Sequence, residues 1–158
     1  MTSSHPRPRP QDPDLQVDEH SDVAPVAVHL TPAFIALVAL GGAAGSLARH
    51  GVEVLLGTSH GLPVGTLTVN VVGAFALGAL LEWLTRRGSS VDRRRAARLL
   101  IGTGFLGGFT TYSALAVESD GLVRDGRVGL ALVYMLTTVA VGLMASLAGA
   151  LTARRAAR

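Results

Sequence analysis

The stretch GTGFLGGFTTYSAL, Gly102 to Leu115, sets four glycines and the run Thr110, Thr111 and Tyr112 inside an apolar segment long enough to cross a bilayer. Backbone that leaves the helical hydrogen-bonding pattern at membrane depth finds no water there. It survives only against protein or along a water-filled path. The stretch therefore predicts a membrane helix broken at an ion or substrate site.

Three further apolar runs accompany it. Together they predict an all-α membrane protein of four transmembrane helices, at about 32–56, 62–84, 99–123 and 128–152, with the break in the third. These spans make a channel-sized domain of residues 32–153, followed by a basic tail, 154–158. Residues 1–31 are rich in Pro, Asp, Ser and His without apolar periodicity, a composition that predicts disorder. Arg7 and Arg9 alternate with prolines and the first apolar run starts late, which argues against a signal peptide.

Within the spans a few residues stand out. Gly41 and Gly45 form a GxxxG pair suited to close helix packing. Arg49 and Glu53 fall at i,i+4 and can pair; Arg49 reads either as a snorkelling residue near a helix end or as part of a vestibule. Pro63 suits the start of the second helix. Asn70 lies deep in an uncharged run, where an unpaired amide is costly, so it is either an interhelical hydrogen-bonder or a pore residue. Trp83 marks a membrane interface, and the arginine-rich stretch Thr85 to Arg98 reads as a polar loop. The fourth span carries Tyr134 and Thr138, with Gly142, Ser146, Gly149 and Ala150 at packing spacing.

All fourteen basic residues are arginine, and there is no cysteine. Disulfides, thiolate metal sites and cysteine nucleophiles are thereby excluded. The arginines flank apolar spans, which favours a juxtamembrane role over nucleic-acid binding. The five histidines show no metal-ligand spacing, and neither a phosphate loop nor a nucleophile–base arrangement is evident, so no enzyme is expected. With four spans, the tails and the second loop share one side and carry eleven arginines, against Arg124 and Arg127 on the other. Both termini are expected in the cytoplasm of a cell-membrane protein.

Three segments taken in order, GGAAGSLARH, LPVGTLTVNVVGAFALG and GTGFLGGFTTYSAL, resemble the CrcB/Fluc family of small fluoride channels. The resemblance runs from about Phe34 into the fourth helix. It implies an antiparallel dimer of four-helix subunits that lowers cytoplasmic fluoride by passive efflux. It also implies a structural, activating sodium ion (Na+) that is not transported, held by backbone carbonyls matching Gly107 and Thr110. Asn70, Tyr112, Ser113, Tyr134 and Thr138 would line the fluoride pore, and Arg49 would sit in its vestibule. For each hydroxyl, back-bonding to its own helix is the alternative.

The match has two departures. Where the family carries Phe-Ser-Thr-Phe, this chain has Tyr112, Ser113, Ala114 and Leu115, so one of the two aromatic edges is gone. The arginine asymmetry is also unlike that of a dimer inserting in both orientations. Together they suggest half of a heterodimer with a homologous subunit, the alternative being a tolerant homodimer. A non-conducting assembly subunit and a small four-helix multidrug exporter are the other classes. The exporter needs a carboxylate in mid-span, whereas Glu53 and Glu82 lie near span ends and Glu118 late in the third.

Overall fold

The computed structural model describes residues 32–58, 61–86 and 91–156. The readings made for the tail 1–31, for His60, for Arg87 and for Arg158 fall outside the described residues. Four helices are long and apolar enough to cross a membrane: Pro32–Leu56, Val64–Arg86, Val91–Arg124 and Val128–Ala156. The first, second and fourth are the continuous helices α1, α2 and α6. The third is composite: α3 (Val91–Ala97), a π-helical segment (Arg98–Leu106), the single turn α4 (Gly107–Phe109), then α5 (Tyr112–Arg124).

Local chemistry accounts for most of the boundaries. The Pro63 carbonyl accepts the first bond of α2 from the Leu67 N–H, at 3.3 Å, so the proline stands just outside the helix where its missing N–H costs nothing. Gly57 ends α1 at φ +56°, and Gly126, at φ +75°, lets the chain turn from α5 to α6 within three residues. Both connections lie at the same end of the bundle, where Gly61 faces the Arg127 guanidinium.

One boundary differs from the sequence reading. Part of the stretch read as a polar loop, Thr85 to Arg98, is helical, since α3 begins at Val91. Arginine and alanine are good helix formers, and Asp92 in the first turn suits the positive end of the helix dipole. Seven residues are too few to show an apolar period.

Packing relies on glycine. α1 lies along the π-helical segment and α4, and a Cβ on Gly41 would collide with the Leu100 carbonyl, one on Gly45 with the Phe105 carbonyl. The Gly41–Gly45 pair therefore joins two helices of one chain. α2 packs most extensively on α6, where Gly78 meets Ser146 and Gly149 meets Phe75, both backbone to backbone. Ser146 and Gly149 thus pack as their spacing suggested, whereas Gly142 faces open space. Such contacts hold membrane helices together by close van der Waals approach where burial from water supplies no drive.

Gly45→Ala is expected to force α1 off the third span and to lower the unfolding midpoint of the detergent-solubilised protein by several degrees. Gly51→Ala, in the same helix but with nothing within 4 Å, should raise stability by up to about 1 kcal/mol through helix propensity. Thermal melts of the two variants side by side check the contrast.

Candidate functional site

The break occupies two residues. Thr110 (φ −80°, ψ 153°) and Thr111 (φ −146°, ψ 123°) are extended, between α4 ending at Phe109 and α5 starting at Tyr112. Their own side chains soften both ends. Thr110 donates through Oγ1 to the Leu106 carbonyl at 2.9 Å, and Thr111 Oγ1 accepts the Ala114 N–H at 3.1 Å, an N-cap for α5.

Two neighbouring helices supply the remaining partners. From α2, Asn70 uses both ends of its amide on one residue: Oδ1 accepts the Thr111 N–H at 2.8 Å and Nδ2 donates to the Thr111 carbonyl at 3.0 Å. From α1, Arg49 Nε donates to the Gly108 carbonyl at 3.3 Å, and Ser46 Oγ reaches the same oxygen at 3.5 Å. The Arg49 guanidinium also stands 3.6 Å from a Glu53 carboxylate oxygen. Asn70 is thus an interhelical hydrogen-bonder, and Arg49 is tied to the break as well as to its own helix. Among the described residues no side chain donates to the carbonyls of Gly107 and Thr110.

A groove of about 360 Å³ runs along the break on the outside of the chain. It brings together Asn70, Gly107, Thr110, Tyr112 and Thr138, with Leu115 also on its wall. Tyr112 projects from it and is 76% exposed, whereas Leu115 is 4% exposed and packs with Tyr134, Leu122 and Ala131. Ser113 is exposed, its Oγ 3.1 Å from Thr111 Oγ1, and Arg49 does not line the groove.

Tyr134 is buried in the core behind the groove, and Thr138, also buried, forms part of the groove's wall. Thr138 Oγ1 donates to the Tyr134 carbonyl at 2.8 Å, the back-bonding arrangement foreseen as an alternative. The Tyr134 hydroxyl donates to Glu118 Oε2 at 2.8 Å, and the fully buried Thr66 donates to Glu118 Oε1 at 2.6 Å. Glu118 therefore joins α2, α5 and α6 through one carboxylate. From the sequence, Glu118 is weighed only as an exporter carboxylate late in the third span and Thr66 has no role; an acid in the apolar run SALAVES is the available signal.

Among the described residues, four apolar spans, one of them interrupted and braced by polar side chains from its neighbours, define a multi-pass α-helical membrane protein with a break in its third span. Residues 36–150 match the family described as CrcB-like protein, Camphor Resistance (CrcB). The chain belongs to that family. A relative from Leifsonia xyli subsp. xyli named fluoride-specific ion channel FluC 2 is 48% identical over 122 residues, covering 77% of this chain and 84% of the relative. Fluoride-specific ion channel FluC 1 of Cutibacterium acnes is 48% identical, covering 70% and 78%. Fluoride-specific ion channel FluC of Caulobacter vibrioides is 41% identical, covering 75% of this chain and 94% of its own length. The family is one of ion channels, not enzymes.

Glu118→Ala is expected to leave the Thr66 and Tyr134 hydroxyls buried without an acceptor, at a cost of about 1–3 kcal/mol for each group. Glu118→Gln keeps one acceptor oxygen and should lose roughly half as much. Chemical unfolding of both variants in detergent measures the difference.

Proposed function

We propose that this chain is a subunit of a dimeric fluoride-selective channel that lets fluoride leave the cytoplasm passively. The observation that carries the reading is Asn70, which lines the groove while its amide is locked onto Thr111. A primary amide has two N–H donors, and the Thr111 carbonyl takes one. The second is available to an anion in the groove, held in place by a side chain that cannot swing away. Fluoride is small and strongly hydrated, so a path must offer donors in place of its water. The relatives' names supply the identity of the anion.

The remaining residues divide by how their donors are used. Ser113 is exposed and its hydroxyl can turn toward a passing ion. The Tyr134 and Thr138 hydroxyls serve the path only by exchanging their present acceptors for fluoride. Tyr112 offers a ring edge, the positive rim of an aromatic quadrupole. Arg49, tied to the break, raises the local anion concentration near it.

Sodium fits the same break. The Gly107 and Thr110 carbonyls are hard oxygen ligands left over when the helix unwinds, and unwound backbone holds sodium in this way in membrane transporters. Bound there, sodium would supply a fixed positive charge that keeps the two half-helices in register. Arg49, Ser46 and Asn70 hold the backbone so that those two oxygens remain unspent. The arginine asymmetry supports cytoplasmic termini.

A second reading is favoured by two observations: that asymmetry, and the burial of Leu115 where a second aromatic edge would stand. In it the chain conducts only with an oppositely oriented homologous subunit. Reconstituted alone in liposomes, it should then release fluoride at least tenfold more slowly than when paired. Robust efflux from the chain alone, read with a fluoride electrode, favours the homodimer. In whichever assembly conducts, Asn70→Ala should abolish efflux while the protein still elutes as the wild type does; unchanged efflux removes Asn70 from the path. The exporter reading would have to use one of the half-buried span carboxylates Glu53, Glu82 and Glu118, and both oxygens of Glu118 are committed to hydroxyl donors.

A further inference from the structure

The end of the bundle where α2 finishes and α3 begins carries a feature that conduction does not use. A cavity of about 420 Å³ opens there, lined by α2, α3 and the start of the π-helical segment. Leu81, Leu84 and Leu99 contribute apolar walls, and Arg94, Arg95 and Arg98 contribute three guanidinium groups. Leu84 is buried, Arg94 and Arg95 are half-buried and Arg98 is exposed. Among the described residues these three arginines make no ion pair or hydrogen bond with a side chain. The neighbouring carboxylate, Glu82, is already engaged by Arg86 and Arg154.

Three charges without an ion-pair partner among the described residues, beside an apolar cavity, complement a molecule that is anionic at one end and hydrocarbon at the other. The position agrees. α2 ends at Arg86 and the exposed Trp83 lies one residue before Leu84, so the cavity stands at headgroup depth. Guanidinium forks pair well with phosphate oxygens, and basic pockets at this level attract anionic headgroups. A free phosphate would answer the arginines and leave the leucines facing water, whereas an acyl chain covers them.

We propose that this cavity binds an anionic phospholipid, its phosphate on Arg94, Arg95 and Arg98 and its upper acyl chain against Leu81, Leu84 and Leu99. The test takes the full chain, purified from a bilayer of equal phosphatidylglycerol and phosphatidylcholine, and weighs the retained lipid by native mass spectrometry. Phosphatidylglycerol should be retained over phosphatidylcholine by about fivefold or more, the factor that one basic residue near such a surface carries. Arg94→Gln/Arg95→Gln/Arg98→Gln should bring the ratio to parity, and the exposed Arg98→Gln alone should lower it measurably if the triple variant fails to fold. Arg154→Gln/Arg155→Gln removes two charges from the same end outside the cavity and should keep the preference. Parity in the wild type, equal loss in the Arg154/Arg155 control, or displacement of the lipid by an equal concentration of inorganic phosphate would overturn the proposal.

Discussion

The amide of Asn70 on the backbone of Thr111 is the interaction on which the rest of the site depends. A helix interrupted in a membrane exposes N–H and C=O groups that hydrocarbon cannot satisfy, at several kcal/mol each. Asn70 meets one of each on a single residue, at 2.8 and 3.0 Å. An aspartate lacks the donor, and a serine hydroxyl is too short to offer both functions side by side. Thr111, held in this way, caps α5 and so sets the direction in which α5 leaves the break. From the opposite side Arg49 and Ser46 hold the Gly108 carbonyl. The interruption is thus braced from α1 and α2 at once, and two extended residues are enough to make it.

Bracing of this kind needs close helix approach, which explains where the glycines lie. Gly108 approaches Gly42 so closely that a Cβ would meet its carbonyl, and one on Gly73 would collide with the Thr110 side chain. Side chains at those positions would move α1 and α2 away from the break and stretch the bonds from Arg49 and Asn70. Beyond the break, α5 returns to the bundle through Glu118, whose two oxygens draw Thr66 and Tyr134 together. The third span is therefore fastened on each side of its interruption: by backbone contacts before it and by a shared carboxylate after it.

Much of this was legible in the sequence, for reasons that can be stated. Apolar runs give membrane helices directly, because lipid imposes composition along the whole span. The Thr110-Thr111 pair announces the break, since its hydroxyls supply local hydrogen bonds where the helix stops, whereas Gly107 and Gly108 are helical and Gly108 serves close packing on Gly42. Asn70 is conspicuous by its cost. Glu118 was not legible as a site because its meaning lies in partners 52 and 16 residues away in the chain, and one sequence carries no mark of such a pairing. The short helix α3 was missed because arginines dominate it and seven residues hold too little pattern.

The same geometry bears on why the proposed path needs a second chain. The groove at the break is open on the outside of the subunit, with Tyr112 projecting from it. An anion there would face protein donors on one side and lipid on the other, a position that hydrocarbon makes costly. On the proposed reading, a second subunit would close the groove before it carried charge. Leu115 is buried against Tyr134 while also forming part of the groove wall, so the polar residues this subunit brings to that wall are Asn70, Thr110, Thr111 and Thr138, with one aromatic ring from Tyr112. In the heterodimer reading a homologous subunit would supply a second aromatic edge, and it would do so without disturbing Leu115, which belongs to the core holding α5 to α6. Residue 115 therefore serves the packing of α5 on α6 as well as the groove wall, and because it is only 4% exposed, a phenylalanine placed there would change the core and the wall together.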